Sequence, residues 1–210
     1  MTEKSKKQLP VYFTPKGRTL WLKCFKADTK FSIDGEFGGK LIIDNSDATD
    51  LMAQLDAMFE ASIEAAVVET GKPRDKIRTN EPYEVDQETG DVTLKFKLKA
   101  IVTTKDGSRF GQKPLVVDAS GKTPITQEIP LWNDSLVRVG YQVIPYYTSL
   151  AGAGLSLRMK SVQIINAVAG TNESASGFDA EEGYQFDESS VPETIGMQKE
   201  EEDDFDDVPF

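Results

Sequence analysis

The fold turns on VTLKFKLKAIV, Val92 to Val102. Val92, Leu94, Phe96, Leu98, Ala100 and Val102 fall on one side of an extended chain, and Lys95, Lys97 and Lys99 on the other. A period of two is the signature of a half-buried β-strand, so the first set predicts a core face and the second an outward ladder of cations.

Strand signals continue on both sides of this segment. KDGS, Lys105 to Ser108, predicts a hairpin turn, and RFGQKPLVVD, Arg109 to Asp118, returns. In SLVRVGYQVIPYY, Val137, Val139, Tyr141 and Val143 alternate with Arg138, Gln142 and Tyr146. AGAG, Ala151 to Gly154, then turns into LSLRMKSVQIINAV, where Arg158 and Lys160 face together. Upstream, RTLWLKCFK places Leu20, Leu22 and Cys24 on one face and Trp21, Lys23 and Phe25 on the other, and GKLIID, Gly39 to Asp44, is a second strand.

One segment breaks the pattern. Ser46 to Gly71 carries Leu51, Leu55, Met58, Phe59, Ser62, Ile63 and Ala66 at helical spacing. Ser46 or Asp47 is the expected cap, and Gly71 and Pro73 the expected stop. The stripe reads as a helix plugging a sheet or barrel. Five or six short antiparallel strands with a single helix predict a mainly β protein, a small closed barrel rather than a sandwich.

Charge divides the chain. Gly170 to Phe210 holds 14 acidic residues and one basic residue, whereas Met1 to Ala169 holds 21 and 23, so the whole net charge of −11 resides in the last fifth. That fifth is rich in Gly, Ser and Glu and is expected to be disordered, giving a folded domain over 1–169 and an acidic tail over 170–210. No run of about 18 apolar residues predicts a membrane span. MTEKSKKQLP reads as a loose basic arm without a secretory h-region. With the lone Cys24, this fits a reducing, cytoplasmic compartment.

Several chemistries lack their residues. Without histidine there is no Ser-His or Cys-His pair and no His-based metal site, and one cysteine builds no thiolate zinc site. GKT at Gly121 to Thr123 lacks the upstream glycine of a phosphate loop and is followed by Pro124. Asp28, Asp34, Asp44 and Asp118 sit at strand ends or turns, where aspartate serves conformation. No catalytic residue, cofactor or metal is predicted.

The outward faces suggest a ligand instead. Alternating cations with interleaved aromatics suit single-stranded nucleic acid, because cations follow phosphates and exposed rings stack on bases of any sequence. Trp21, Phe25 and Tyr146 are the candidate rings. Lys23, Lys95, Lys97, Lys99, Arg138, Arg158 and Lys160 are the candidate phosphate contacts. The competing reading for the lysines is a solvated outer face, and for Trp21 and Phe25 packing beneath the helix. The chain's last segment, Asp203, Asp204, Phe205, Asp206, Asp207, Val208, Pro209 and Phe210, combines carboxylates with an apolar, carboxylate-ended tip. It suits a pocket with a basic rim on another protein.

DDFDDVPF resembles the acidic, Pro-Phe-ended tail of bacterial single-stranded DNA-binding proteins. NDSLVRVGYQVIPYYTSLAGAGLSLRMKSVQIINAV resembles the phage-encoded single-stranded DNA-binding proteins of short-tailed phages. That resemblance implies an OB-fold core with a long helix and a tail ending in phenylalanine. It also implies a non-catalytic protein that coats single strands in replication, recombination and repair within a bacterial host. Its tail would contact partners such as a DNA polymerase, helicase or exonuclease. An OB fold usually places its helix between the third and fourth strands, whereas here it follows only two secure ones. Either PVYF, Pro10 to Phe13, supplies an early strand or the topology departs from the pattern. A homodimer stays open, as do an RNA-binding or strand-annealing protein, an acidic-tailed adaptor that binds only proteins, and a magnesium-dependent nuclease.

Overall fold

The computed structural model describes residues 9–30, 32–104 and 106–168. In chain order its strands are β1 (Tyr12–Phe13), β2 (Gly17–Asp28), β3 (Glu36–Ile43), β4 (Thr79–Asn80), β5 (Tyr83–Val85), β6 (Val92–Lys99), β7 (Ile101–Thr103), β8 (Arg109–Gly111), β9 (Leu115–Val117), β10 (Leu136–Thr148) and β11 (Gly152–Asn166). A single α-helix, α1 (Asn45–Thr70), lies between β3 and β4.

Five long strands close on themselves. β2 pairs with β3, β3 with β6, β6 with β11, β11 with β10, and β10 returns to β2. This is an OB-like barrel, and it hides its sheet edges by closure. Four of the five seams are antiparallel. The β6–β11 seam is parallel, aligning Leu157 with Phe96 and Arg158 with Lys97. β6 shares its second edge, because β5 occupies the stretch from Val92 to Leu94 before β11 takes over.

The alternation of β6 holds. Val92, Leu94, Phe96 and Leu98 are buried, and Lys95, Lys97 and Lys99 are exposed. The strand ends at Lys99, three residues before the pattern does. Ala100 donates its N–H to Gly35 and accepts from Gln112. Ile101–Thr103 then pairs with Arg109–Gly111 as a separate hairpin, leaving Val102 half-buried.

PVYF does supply a strand, but β1 only adds to the edge of β10. The helix therefore follows the second barrel strand. It begins two or three residues earlier than a cap at Ser46 or Asp47 would have it. Asp44 is the N-cap and makes no side-chain cap bond, while Gly71, at φ 66°, donates to Val67 O and closes the C-terminus. Ala48, Leu51 and Leu55 enter the barrel core beside Phe96, Tyr141 and Met159. Ile63 and Ala66 meet Ile77 and Ala153 in a smaller cluster. The apolar stripe of α1 is thus spent as a plug.

Three local readings change. β2 contains a register shift between Leu20 and Lys23, so Thr19 and Leu22 are the buried neighbours and Leu20 is only half-buried. Gln142 is buried, and its Nε2 donates to Leu9 O. The turn between β10 and β11 is Ser149 to Ala151, with Ala153 and Gly154 already in the strand.

Candidate nucleic-acid interface

The lysine ladder of β6 stands on the outer barrel wall between β3 and β11. Register places Lys95 opposite Lys40, Lys97 opposite Gly38 and Lys99 opposite Glu36. On the far side Lys97 lies beside Arg158.

Three hollows meet at Lys97. The first, about 370 Å³, is bounded by Trp21, Lys23, Lys95 and Lys97 over a floor of Gly38 and Gly39. The second, about 340 Å³, lies between Lys95, Lys97, Tyr146 and Ser156. The third, about 410 Å³, is framed by Lys97, Lys99, Phe110 and Arg158. Together they make a trough with cations along its centre and rings at its margins.

The β2 bulge gives Trp21 its place. Trp21 and Leu22 occupy the extra length opposite Gly39, whose absent Cβ would stand 2.6 Å from Leu22 Cα. Trp21 adopts φ 53°, a left-handed conformation that costs a bulky residue about 1–3 kcal/mol and persists only where its surroundings enforce it. Its side chain is 67% exposed, so it does not pack beneath the helix. Tyr146 is placed differently, directly across from Gly154, where a Cβ would come within 2.5 Å of its hydroxyl. Asn80 Nδ2 donates to that hydroxyl at 3.4 Å.

Among the described residues, Lys23, Lys95, Lys99 and Arg158 make no ion pair. Lys97 approaches Glu36 at 3.5 Å, and Lys40 meets Glu84 at 3.0 Å. Pairs this exposed are weak and can be exchanged for phosphate.

Of the residues singled out in the sequence, seven border this trough: Trp21, Lys23, Lys95, Lys97, Lys99, Tyr146 and Arg158. Three do not. Phe25 is half-buried against the core and lies between two other hollows near Glu128. Arg138 faces the N-terminal segment, where its Nε donates to Thr14 O at 3.0 Å. Lys160 continues the exposed face of Arg158 but lines none of the three hollows. The segment Asp203 to Phe210 lies outside the described residues. Lys40 and Phe110 belong to the trough neighbourhood without having been singled out. Phe110 is 49% exposed on a strand of three residues, too short to show a period, and its only sequence signal is an arginine–aromatic pair after a turn.

An OB-like barrel whose outer wall combines a cation ladder with exposed rings is the architecture of a single-strand binder. The family model described as the single-stranded DNA-binding protein of bacteriophage T7 matches residues 25–167, and the chain belongs to that family. Among solved structures, gp2.5, a single-stranded DNA-binding protein encoded by bacteriophage T7, superposes with a TM-score of 0.70 at 21% identity, covering 86% of this chain and 100% of that one. The single-stranded DNA-binding protein of bacteriophage Enc34 in complex with ssDNA matches with a TM-score of 0.52 at 10% identity, over 75% of this chain and 87% of that one. No curated protein sequence matches significantly.

Proposed function

We propose that this protein coats single-stranded DNA without sequence choice and without catalysis, along the trough centred on Lys97. The observation that carries this reading is the meeting of three hollows at one lysine, with Trp21, Tyr146 and Phe110 at their margins. Lys23, Lys95, Lys97, Lys99 and Arg158 track phosphates, and the rings stack on bases at about 1–3 kcal/mol each. Residues 1–169 act as the binding domain and 170–210 as an acidic docking tail for replication and recombination enzymes in the host cytoplasm. Phe25, Arg138 and Lys160 lie beyond the primary path and contribute only to longer strands.

Titration with labelled oligonucleotides across salt concentrations tests this. Five phosphate contacts predict a slope of log K against log salt of about −3 to −4 for a single strand. Lys97→Ala should reduce the slope by about 0.7. Equal affinity for duplex and single strand would overturn the reading. Preference for RNA, cleavage on adding magnesium, or no binding at all would favour an RNA binder, a nuclease or a protein adaptor respectively.

A further inference from the structure

The turn Trp132 to Ser135 is fastened to β2 next to the Trp21 bulge. Thr19 donates its N–H to Ser135 O at 2.9 Å, and Asp134 donates its N–H to Thr19 O at 2.8 Å. Thr19 Oγ1 donates to Trp132 O at 2.9 Å, which also accepts from Ser135 Oγ at 2.7 Å. Trp21 N–H is the next donor along β2, and it donates to the side-chain Oδ1 of Asn133 at 2.8 Å. By this point the backbone has turned away, with Asp134 at φ 64°. The Asn133 amide thus supplies the acceptor that a paired strand would otherwise present. Trp21 and Asp134 are the only non-glycine residues with positive φ among the described residues, and they flank this one bond.

A left-handed residue in the middle of a strand needs something to enforce it. The peptide of Trp21 is held on one side by the bulge opposite Gly39 and on the other by Asn133. Resting on the reading of Trp21 as a base-stacking ring, we infer that Asn133 is a positioning residue. It touches no nucleic acid, and it sets the direction in which Trp21 projects over the Lys95–Lys97 hollow. The turn is itself anchored to the end of the described chain, since Trp132 N–H donates to Val168 O and Val168 N–H to Ser135 Oγ. Asn133 is exposed, and the Thr19 bonds to the turn do not involve its side chain. Its replacement therefore removes one acceptor and leaves the fastening in place.

The test uses the full chain carrying Trp132→Phe, so that Trp21 is the only emitter and the backbone bonds of the turn are retained. Oligo(dT) affinity is measured with a labelled oligonucleotide for Asn133→Leu, Asn133→Asp, Trp21→Ala and the Trp21→Ala/Asn133→Leu pair, and emission quenching for the first two, with circular dichroism to confirm folding. Asn133→Leu should weaken binding about two- to ten-fold, the range one hydrogen bond commands, and should reduce quenching. Asn133→Asp keeps Oδ1 and should restore the quenching amplitude. Asn133→Leu should add nothing once Trp21 is alanine. Weakening by Trp21→Ala with none from Asn133→Leu overturns the positioning role alone. The same penalty from Asn133→Leu with or without Trp21 also overturns it, because the turn then acts on the barrel generally. Unchanged affinity in Trp21→Ala overturns the stacking reading and the positioning role together.

Discussion

Single side chains decide whether the barrel wall is inert or adhesive. Cys24 is on the inert side: it is 3% exposed, and burial pushes its thiol up to about 12. The folded state thus holds that proton more tightly than the unfolded chain does. The associated stability is complete below the ordinary thiol pKa of 9.0 and declines as pH rises from there towards about 12. Alkylation at pH 8 should accordingly be slow in the native protein and should follow the unfolding transition in urea, as mass spectrometry would show. A reaction at the rate of a free thiol would mean that the β2 wall opens locally. Glu36 is the corresponding test on the adhesive side. It borders two of the three hollows and lies 3.5 Å from Lys97, so on the proposed path it would compete with a phosphate for that ammonium. Glu36→Gln should therefore tighten oligo(dT) binding up to about five-fold at low salt, the ceiling for an exposed pair, with the gain shrinking as salt rises. A loss of affinity would show that Glu36 orders Lys97 productively instead of competing for it.

Elements were legible wherever a period ran long enough to be forced by burial. β6 shows this most clearly, because each apolar residue from Val92 to Leu98 faces the core and each lysine faces out. α1 was equally visible, since its stripe has nowhere to go but the barrel. Leu55 is fully buried there, and Leu55→Ala should cost about 2–5 kcal/mol in urea unfolding. No α1 residue lines the trough, so the folded fraction should bind DNA with unchanged affinity. A change in affinity without a change in stability would place the helix in the interface. What alternation could not reveal was the β2 bulge between Leu20 and Lys23, because Leu20, Leu22 and Cys24 read as one unbroken face while the bulge moves burial to Thr19 and Leu22. Nor could it distinguish among outward directions. Arg138, Arg158 and the lysines all point away from the core, but on a closed barrel outward covers every azimuth. Only strand order puts Arg158 beside Lys97 and leaves Arg138 against Thr14.

At the scale of the whole molecule, charge is partitioned more sharply than structure. Residues 1–169 are nearly neutral, with Lys23, Lys95, Lys97, Lys99 and Arg158 bordering the trough, while 170–210 carry 14 carboxylates against one lysine. On the docking-tail reading, tethering would hold those carboxylates at high effective concentration near a cationic surface on the same chain. Competition with DNA by that route would depend on charge and distance alone. Deleting Lys199 to Phe210 removes seven acidic residues between Glu200 and Asp207, so binding should tighten, most at low salt where screening is weakest. Phe210 tests a different property. Its ring beside the acidic run suits recognition by shape, in a small pocket with a basic rim. Removing Phe210 alone leaves every acidic residue in place, so oligo(dT) affinity should stay constant while binding to a replicative polymerase or helicase falls, as surface plasmon resonance would show. The two variants have to be compared under one buffer, because each controls for the other. If the deletion leaves low-salt affinity unchanged, the carboxylates do not compete for the trough. If loss of Phe210 spares every partner, the tail acts through its charge and not through its tip.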